Sequence, residues 1–216
     1  MLALAPALAA LALAQPGPGP VPFASAPAGS LLGGEALAVG NANLAVWGGW
    51  PTAGFRYAQG LGAVDLGGEM DLRWSTGELD VAGFLRLPLW RQGSSALAFR
   101  ARLGLYLSTG PSYGDYARRN DTGLLAVPGL AFSTAAGQAT ASLSLDVRTA
   151  ITRARSGGSF VAPVASAALE VPVVSDLTAG VRLSFWRRWD SGGAPGALRS
   201  PESGAELVAL VGYRIF

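Results

Sequence analysis

Charged and apolar residues alternate along residues 63–74, and this period of two limits the possible folds of the chain more than any other feature. One face of the segment is charged and consists of Asp65, Glu69, Asp71 and Arg73. The opposite face is apolar and consists of Val64, Leu66, Met70, Leu72 and Trp74. Successive side chains of a strand point to opposite faces, whereas a helix groups residues three and four apart. The segment therefore predicts a β-strand that separates a polar from an apolar environment.

The same alternation recurs along most of the chain. It is clear at residues 79–89, 97–107, 141–153, 177–188 and 206–215, and weaker at 35–47, 52–59, 123–133 and 161–171. Short turns near 60–62, 91–94, 135–138 and 174–176 alternate with longer connections at 75–78, 109–122, 154–159 and 190–204. Such asymmetry is typical of membrane barrels. We expect an all-β, antiparallel up-and-down transmembrane β-barrel of about ten strands, with eight or twelve also possible.

The composition leaves two environments open for the apolar face. Hydrophobic residues make up 50% of the chain and charged residues only 14%, whereas about a quarter of an ordinary soluble domain is charged. The uninterrupted apolar stretches are too short for a membrane helix, which takes roughly 20 residues. The first alternative is a barrel whose apolar face meets lipid. The second is a secreted soluble β-barrel with the faces reversed, which binds an apolar ligand inside.

The absence of histidine and cysteine narrows the possible functions. Histidine is the commonest general base and metal ligand near neutral pH, and cysteine supplies thiol catalysis and disulfides. We therefore expect a protein that is not an enzyme and that holds no metal and no cofactor. The 16 basic and 14 acidic residues are interspersed, so we expect no binding of nucleic acid.

The chain begins like an exported protein. Apolar residues 2–14 end in Ala12-Leu13-Ala14, the small-residue pattern of a signal-peptidase site. We expect residues 1–14 to be a signal peptide and Gln15 to begin the mature protein. Residues 15–32 are rich in Pro, Gly and Ala and are expected to form an irregular tether, with the barrel at residues 33–216.

The chain ends in Val211-Gly212-Tyr213-Arg214-Ile215-Phe216, an alternating strand closed by a terminal Phe. With the leader and the alternating segments, this ending resembles the small bacterial outer-membrane β-barrel proteins. The resemblance implies a location in the bacterial outer membrane, contact with its lipid and lipopolysaccharide, and a monomer in preference to an oligomer. It also implies that Tyr213 and Phe216 form the signal read by the barrel-assembly machinery. Arg214 departs from the family pattern, which has an apolar residue at that position.

Charged residues of both signs share the face that would line the interior. They are Asp65, Glu69, Asp71, Arg73, Asp80, Arg86, Arg100, Arg102, Asp146, Arg148, Glu170 and Arg182. About eight strands leave just enough room for side chains, so about ten strands containing Arg and aromatic residues enclose a filled or very narrow lumen. We therefore expect a charge-paired lumen, with Arg73 opposite Asp80 across a hairpin. The same residues could instead form a charged pathway for a small solute.

The polar connection at 109–121 is the best surface candidate for contact with lipopolysaccharide or a partner. Its candidate residues are Tyr113, Tyr116, Arg118 and Arg119. Arginine pairs with phosphate, and tyrosine packs at a low cost in conformational entropy. The sequence thus favours a non-enzymatic outer-membrane barrel that is either a narrow small-solute channel or a structural or surface-interaction protein.

Overall fold

The computed structural model describes residues 30–109, 121–152, 159–191 and 202–215. They form ten strands: β1 (Ala42–Trp50), β2 (Thr52–Gly60), β3 (Asp65–Arg73), β4 (Glu78–Gln92), β5 (Ser95–Ser108), β6 (Asp121–Ala136), β7 (Ala139–Thr152), β8 (Ser159–Val174), β9 (Leu177–Ser191) and β10 (Glu202–Ile215). Within these ranges no helix is long and apolar enough to cross a membrane. The predicted all-β class and the strand number of ten are confirmed.

The strands close into one antiparallel barrel in chain order. Each strand pairs with its sequence neighbours, and β1 pairs with β10. The closing register runs from Ala42 opposite Ile215 to Trp50 opposite Leu207. Closure joins the two strands that would otherwise be open sheet edges, on which unpaired backbone groups attract other chains. The predicted up-and-down topology is therefore confirmed.

Most large apolar side chains of the strands point outward, and most charged side chains point inward. A minority of apolar side chains, among them Trp47, Phe84 and Phe160, are buried inside with the charged ones. Leu103 and Leu145 are 68% and 58% exposed, whereas Asp65 and Asp80 are 1% and 2% exposed. The predicted facing is confirmed. The alternative of a barrel with its apolar face turned inward is wrong, because charged side chains occupy the enclosed space.

The two ends of the barrel carry different connections. At one end, which we call the turn end, residues 61–64, 93–94, 137–138 and 175–176 join consecutive strands. The opposite end, which we call the loop end, carries Pro51, residues 74–77 and the connections that follow β5, β7 and β9. Residues 110–120, 153–158 and 192–201 of those three connections lie outside the described residues.

The first three strands differ from the rest and from the sequence-based expectation. Strands β1, β2 and β3 have 9 residues each, whereas the other strands have 14 to 16. β1 begins at Ala42, later than the expected start at Glu35, and a tight connection through Pro51 joins it to β2. The residues before Ala42, where a weak alternation was expected to begin a strand, form none: Leu37 is buried against Phe84, and residues 38–40 are exposed.

Candidate functional site

The lumen is the candidate site, and ion pairs cross its middle. Glu69 binds the guanidinium groups of Arg56, at 2.5 Å, and of Arg102. Arg102 also donates to Asp71 at 2.7 Å, and the indole Nε1 of Trp47 donates to the other Asp71 oxygen at 3.0 Å. Both carboxylates are buried. These contacts link β1, β2, β3 and β5 through side chains, in addition to the backbone ladder.

Two further arginines extend this middle layer. Arg100 of β5 binds Asp146 of β7 through Nε at 2.8 Å and through Nη2. Arg73 of β3 donates to Glu206 of β10 at 3.0 Å and to Asp80 of β4 at 3.3 Å. The structure therefore has the predicted contact between Arg73 and Asp80. It is diagonal, because the strand register sets Arg73 opposite Glu78.

Near the loop end, ion pairs connect opposite walls of the barrel. Arg148 donates to both Asp80 oxygens at 2.8 Å and to Glu78 at 3.1 Å. Arg188 of β9 binds Glu78 of β4 at 2.6 Å, halfway round the ten-stranded barrel. The Arg188 guanidinium also lies 3.7 Å from the centre of the Phe160 ring, a cation–π arrangement. This layer closes the lumen below the loop end.

Near the turn end, the lumen is filled by residues 30–37, which we call the N-terminal segment. Asp65 and Arg86 form a fully buried pair at 2.7 Å beside it. Leu31 and Leu32 are buried in one cluster with Trp47. The sequence-based interpretation placed residues 30–32 in an irregular tether, and the structure shows them packed inside the barrel.

Lumen side chains bind the backbone of the N-terminal segment. Glu170 accepts hydrogen bonds from Ser30 Oγ at 2.8 Å and from the amides of Leu31 and Leu32 at 2.7 and 3.0 Å. Arg86 donates to the carbonyl oxygens of Ser30 and Gly33 at 2.7 and 3.0 Å. Glu170 therefore satisfies its charge with amide and hydroxyl donors.

Two further arginines, one serine and one aspartate also form hydrogen bonds with the backbone of the N-terminal segment. Arg56 donates to the Leu31 carbonyl at 2.9 Å, and Arg100 donates to that of Leu32 at 3.1 Å. The Gly34 amide donates to Ser133 Oγ at 3.1 Å, and the Leu37 amide donates to Asp65 at 3.2 Å. Each arginine named here also pairs with a carboxylate, so the segment and the ion-pair network form one connected structure.

Glycines allow this close fit. A Cβ atom added to Gly33 or Gly34 would overlap neighbouring atoms, in the case of Gly34 the backbone carbonyl oxygens of Ala96 and Ala131. On β10, a Cβ atom at Gly212 would overlap the side chain of Leu31. Glycine removes these clashes because it has no side chain.

A small cavity lies at mid-height between these layers. Its volume is about 40 Å³, and its charged lining residues are Arg56, Glu69, Asp71, Arg73, Arg100, Arg102, Asp146, Arg182 and Glu206. Since a water molecule needs roughly 10–15 Å³ of such space, the cavity holds a few waters at most. Around it, the described side chains fill the lumen.

The charged residues that the sequence analysis placed in the lumen do lie there. Their individual ion-pair partners are set by the structure and were, apart from Arg73 and Asp80, not assigned from the sequence. Arg86 pairs with Asp65, Arg100 with Asp146 and Arg148 with Asp80. Glu170 binds the N-terminal segment, and Arg182 has no carboxylate within 4 Å among the described residues. The sequence therefore identified which charged residues line the lumen but not which residue each of them binds.

The remaining predicted contact residues are only partly described. Tyr213 lies on β10, faces outward and is 51% exposed. Phe216 and the loop candidates Tyr113, Tyr116, Arg118 and Arg119 lie outside the described residues. The signal-peptide residues 1–14 also lie outside them.

The sequence analysis did not identify three parts of the lumen: Arg56, Glu78 and the N-terminal segment. Arg56 sits in a strand of small and aromatic residues, although Thr52, Arg56 and Ala58 share a parity that would have marked its inward face. Glu78 was assigned to a connection, whereas it is the first residue of β4. The segment contains no alternation, and its Ser-Leu-Leu-Gly-Gly run carries no local sign of burial.

Glu35 lies before β1, near the turn-end opening. Its carboxylate is 3.2 Å from Arg91, which is itself mostly exposed. Burial raises the pKa of the Glu35 carboxyl above its ordinary value, and the charge of Arg91 opposes part of that rise. In the described part of the chain, no group of three or more acidic side chains is arranged to hold a metal ion.

Comparison with known proteins finds similarity to solved structures and no matching family. No protein-family model matches the sequence, and no curated protein matches it. Among solved structures, the chain is similar to the NanC porin in its rhombohedral crystal form, with 9% sequence identity and a TM-score of 0.44. The matched region covers 82% of this chain and 98% of that one. The fold and lumen described above define a closed ten-stranded β-barrel with an apolar exterior and a charge-paired interior.

Proposed function

We propose that this protein is a non-enzymatic integral barrel of the bacterial outer membrane, exported with loss of residues 1–14. We further propose that its lumen is closed in this state, so that it serves as a structural or surface-interaction barrel and not as an open diffusion pore. The closed lumen is the single observation that carries this choice.

The exterior supports the membrane location. Every strand presents exposed large apolar side chains, including Leu44 on β1, Leu103 on β5 and Phe185 on β9. Soluble monomers rarely expose a continuous apolar patch above a few hundred Å², and this belt encircles the barrel. Lipid removes the cost of hydrating such a surface, about 25 cal/mol per Å².

Aromatic side chains at both ends of the belt support the same location. Trp50 and Trp74 are exposed at the loop end, where their rings lie 4.3 Å apart, edge to face. Trp90 and Tyr213 are exposed toward the turn end. Amphipathic rings collect at the two membrane–water interfaces, because one part of the ring is buried in lipid and the other is hydrated.

The interior supports closure. Ion pairs join walls up to five strands apart, and the N-terminal segment occupies the turn-end half of the lumen. The residual cavity of about 40 Å³ is far below the size of a continuous water-filled path. A solute could pass only if several buried charged groups first lost their partners.

Conductance in planar bilayers tests the proposal. We expect the purified protein to require detergent, to insert into lipid and to give negligible conductance. Insertion is checked independently by protection of the strands from protease in vesicles. A steady conductance from the inserted wild-type protein would contradict the closed lumen, whereas purification without detergent would contradict the membrane location.

A narrow small-solute channel is the second candidate, and the construction of the N-terminal segment favours it. The segment is held largely by hydrogen bonds to one carboxylate and to arginines that already have carboxylate partners. Its release would widen the turn-end half of the lumen without breaking strand pairing. Conductance that appears only after the segment is loosened would support this candidate.

A further inference from the structure

Arg182 stands apart from the other arginines that line the central cavity. Four of them have carboxylate partners, in the pairs Arg56–Glu69, Arg73–Glu206, Arg100–Asp146 and Arg102–Asp71. Arg182 of β9 lines the same cavity, but its guanidinium pairs with no carboxylate within 4 Å among the described residues. The cavity therefore contains a cation whose charge is not matched by a direct contact.

The surroundings of Arg182 leave its buried Nε donor without a hydrogen-bond acceptor. The guanidinium lies 5.4 Å from the centre of the Trp47 ring, so it packs against an aromatic surface. The Asp71 carboxylate is near enough to interact electrostatically with Arg182, but the hydrogen bonds to its two oxygens come from Arg102 and Trp47. A buried donor without a partner destabilises the folded protein, and an acceptor that reached it from the cavity would remove that cost.

The charge of the cavity lining indicates the sign of that acceptor. Its lining holds five guanidinium groups and four carboxylates, so one positive charge is in excess. Ser184 also lines the cavity, because it lies two residues beyond Arg182 on the same face of β9. Its neutral hydroxyl is a second hydrogen-bond donor beside the guanidinium. Its oxygen accepts a hydrogen bond from Ser166 at 2.9 Å, which leaves the Ser184 proton free to be donated.

We propose that the central cavity binds one small monovalent inorganic anion of the size of chloride, held by the Arg182 guanidinium and the Ser184 hydroxyl. Such an ion needs about the space of one water molecule, and the cavity of about 40 Å³ supplies it. Bulky organic anions do not fit. This site goes beyond the proposed function and does not depend on membrane insertion, since every group involved faces the lumen.

Unfolding in urea, with detergent-refolded protein, tests the site. Sodium chloride is compared with sodium gluconate at equal ionic strength, and the anion is present throughout refolding so that slow entry into the cavity does not matter. At a chloride concentration ten times the dissociation constant, the unfolding equilibrium constant of the wild-type protein should fall about 11-fold. This effect should rise with chloride concentration and saturate. An identical wild-type midpoint in the two salts would overturn the site.

Two substitutions separate the site from general salt effects. Arg182→Gln should lose the saturating chloride effect, whereas Arg214→Gln should keep it, because Arg214 lies at the turn end and does not line this cavity. An equal chloride effect in both variants would overturn the proposal. If Arg182→Gln does not fold, Ser184→Ala replaces it and is expected to weaken the apparent affinity for chloride. An unchanged affinity in Ser184→Ala would remove the hydroxyl from the proposed site.

Discussion

Replacing Glu170 by alanine should release the N-terminal segment while the barrel stays intact. The Glu170 carboxylate is 2% exposed, and its hydrogen bonds go to Ser30, Leu31 and Leu32 of that segment. Each hydrogen bond to a charged group contributes about 1.5–3 kcal/mol, and the contributions are not fully additive. Loss of the two amide contacts alone therefore weakens docking of the segment by about 3–5 kcal/mol.

The expected population change is large. Every 1.4 kcal/mol changes an equilibrium about tenfold, so a loss of about 3–5 kcal/mol shifts the docking equilibrium of the segment toward release by a factor of roughly 10²–10⁴. Strand pairing should persist, because the β7–β8 and β8–β9 ladders at residue 170 are made by the backbone. The segment keeps its contacts with Arg86 and Asp65, so we expect transient opening rather than complete loss.

Amide hydrogen exchange of Leu31 and Leu32 in lipid-embedded protein measures this release. Exchange at both amides should accelerate by about the same factor of 10²–10⁴ if opening limits it. Glu170→Gln keeps one acceptor oxygen and should give a smaller acceleration. Val171→Ala, on the adjacent outward position, is the control and should leave both amides protected. Unchanged protection in Glu170→Ala would refute the role of this carboxylate.

Four further predictions concern stability, measured by urea titration in vesicles. Arg148→Ala removes the guanidinium that binds both oxygens of buried Asp80 and leaves that carboxylate with the 3.3 Å contact to Arg73, so it should cost about 3–5 kcal/mol, whereas a cost below about 1 kcal/mol would indicate a water-filled lumen. Leu103→Arg should cost about 2–4 kcal/mol if the residue lies near the bilayer midplane, and Leu103→Ala much less; equal costs would contradict contact with lipid. Gly104→Ala should destabilise strongly because its Cβ would overlap the Val81 carbonyl oxygen, while Gly83→Ala, which has room, should not; equal effects would contradict the packing. Burial raises the pKa of the Glu35 carboxyl, so the protonated carboxyl is favoured in the folded protein. The resulting contribution to the free energy of unfolding is complete below the ordinary glutamate pKa and is lost as the pH rises through the raised pKa. Glu35→Gln should remove this pH dependence of stability, and an unchanged profile would contradict the burial.

The facing of the strands could be predicted because it is a local property of the sequence. Asp65 and Asp71 are four and two positions from Glu69, so the pleat alone places all three on one face. The strand number followed from the same alternation together with the turn residues. Even there, the boundaries of β1 were wrong, because the small residues before Ala42 have no facing of their own.

The partners in the lumen could not be predicted because they depend on non-local geometry. Arg188 and Glu78 are 110 residues apart and meet only once barrel closure sets β9 opposite β4. Likewise, Glu170 was placed in a charge-paired lumen, whereas in the structure its carboxylate accepts hydrogen bonds from the backbone amides of residues 31 and 32. Alternation shows that a side chain enters the lumen, and the stagger of the strands decides which side chain it meets there.

The short strands β1, β2 and β3 give the barrel walls of unequal height. Nine residues extend about 30 Å, which a tilt of about 40° reduces to a height of about 23 Å, whereas fifteen residues reach about 38 Å. In a bilayer, the short side barely matches an apolar band of about 25 Å. Lipid there must thin, or the whole barrel must lean toward that side, at a cost of a fraction of a kcal/mol per Å of mismatch. A barrel of this shape that stayed upright in a bilayer would thus thin the lipid along the flank formed by β1, β2 and β3.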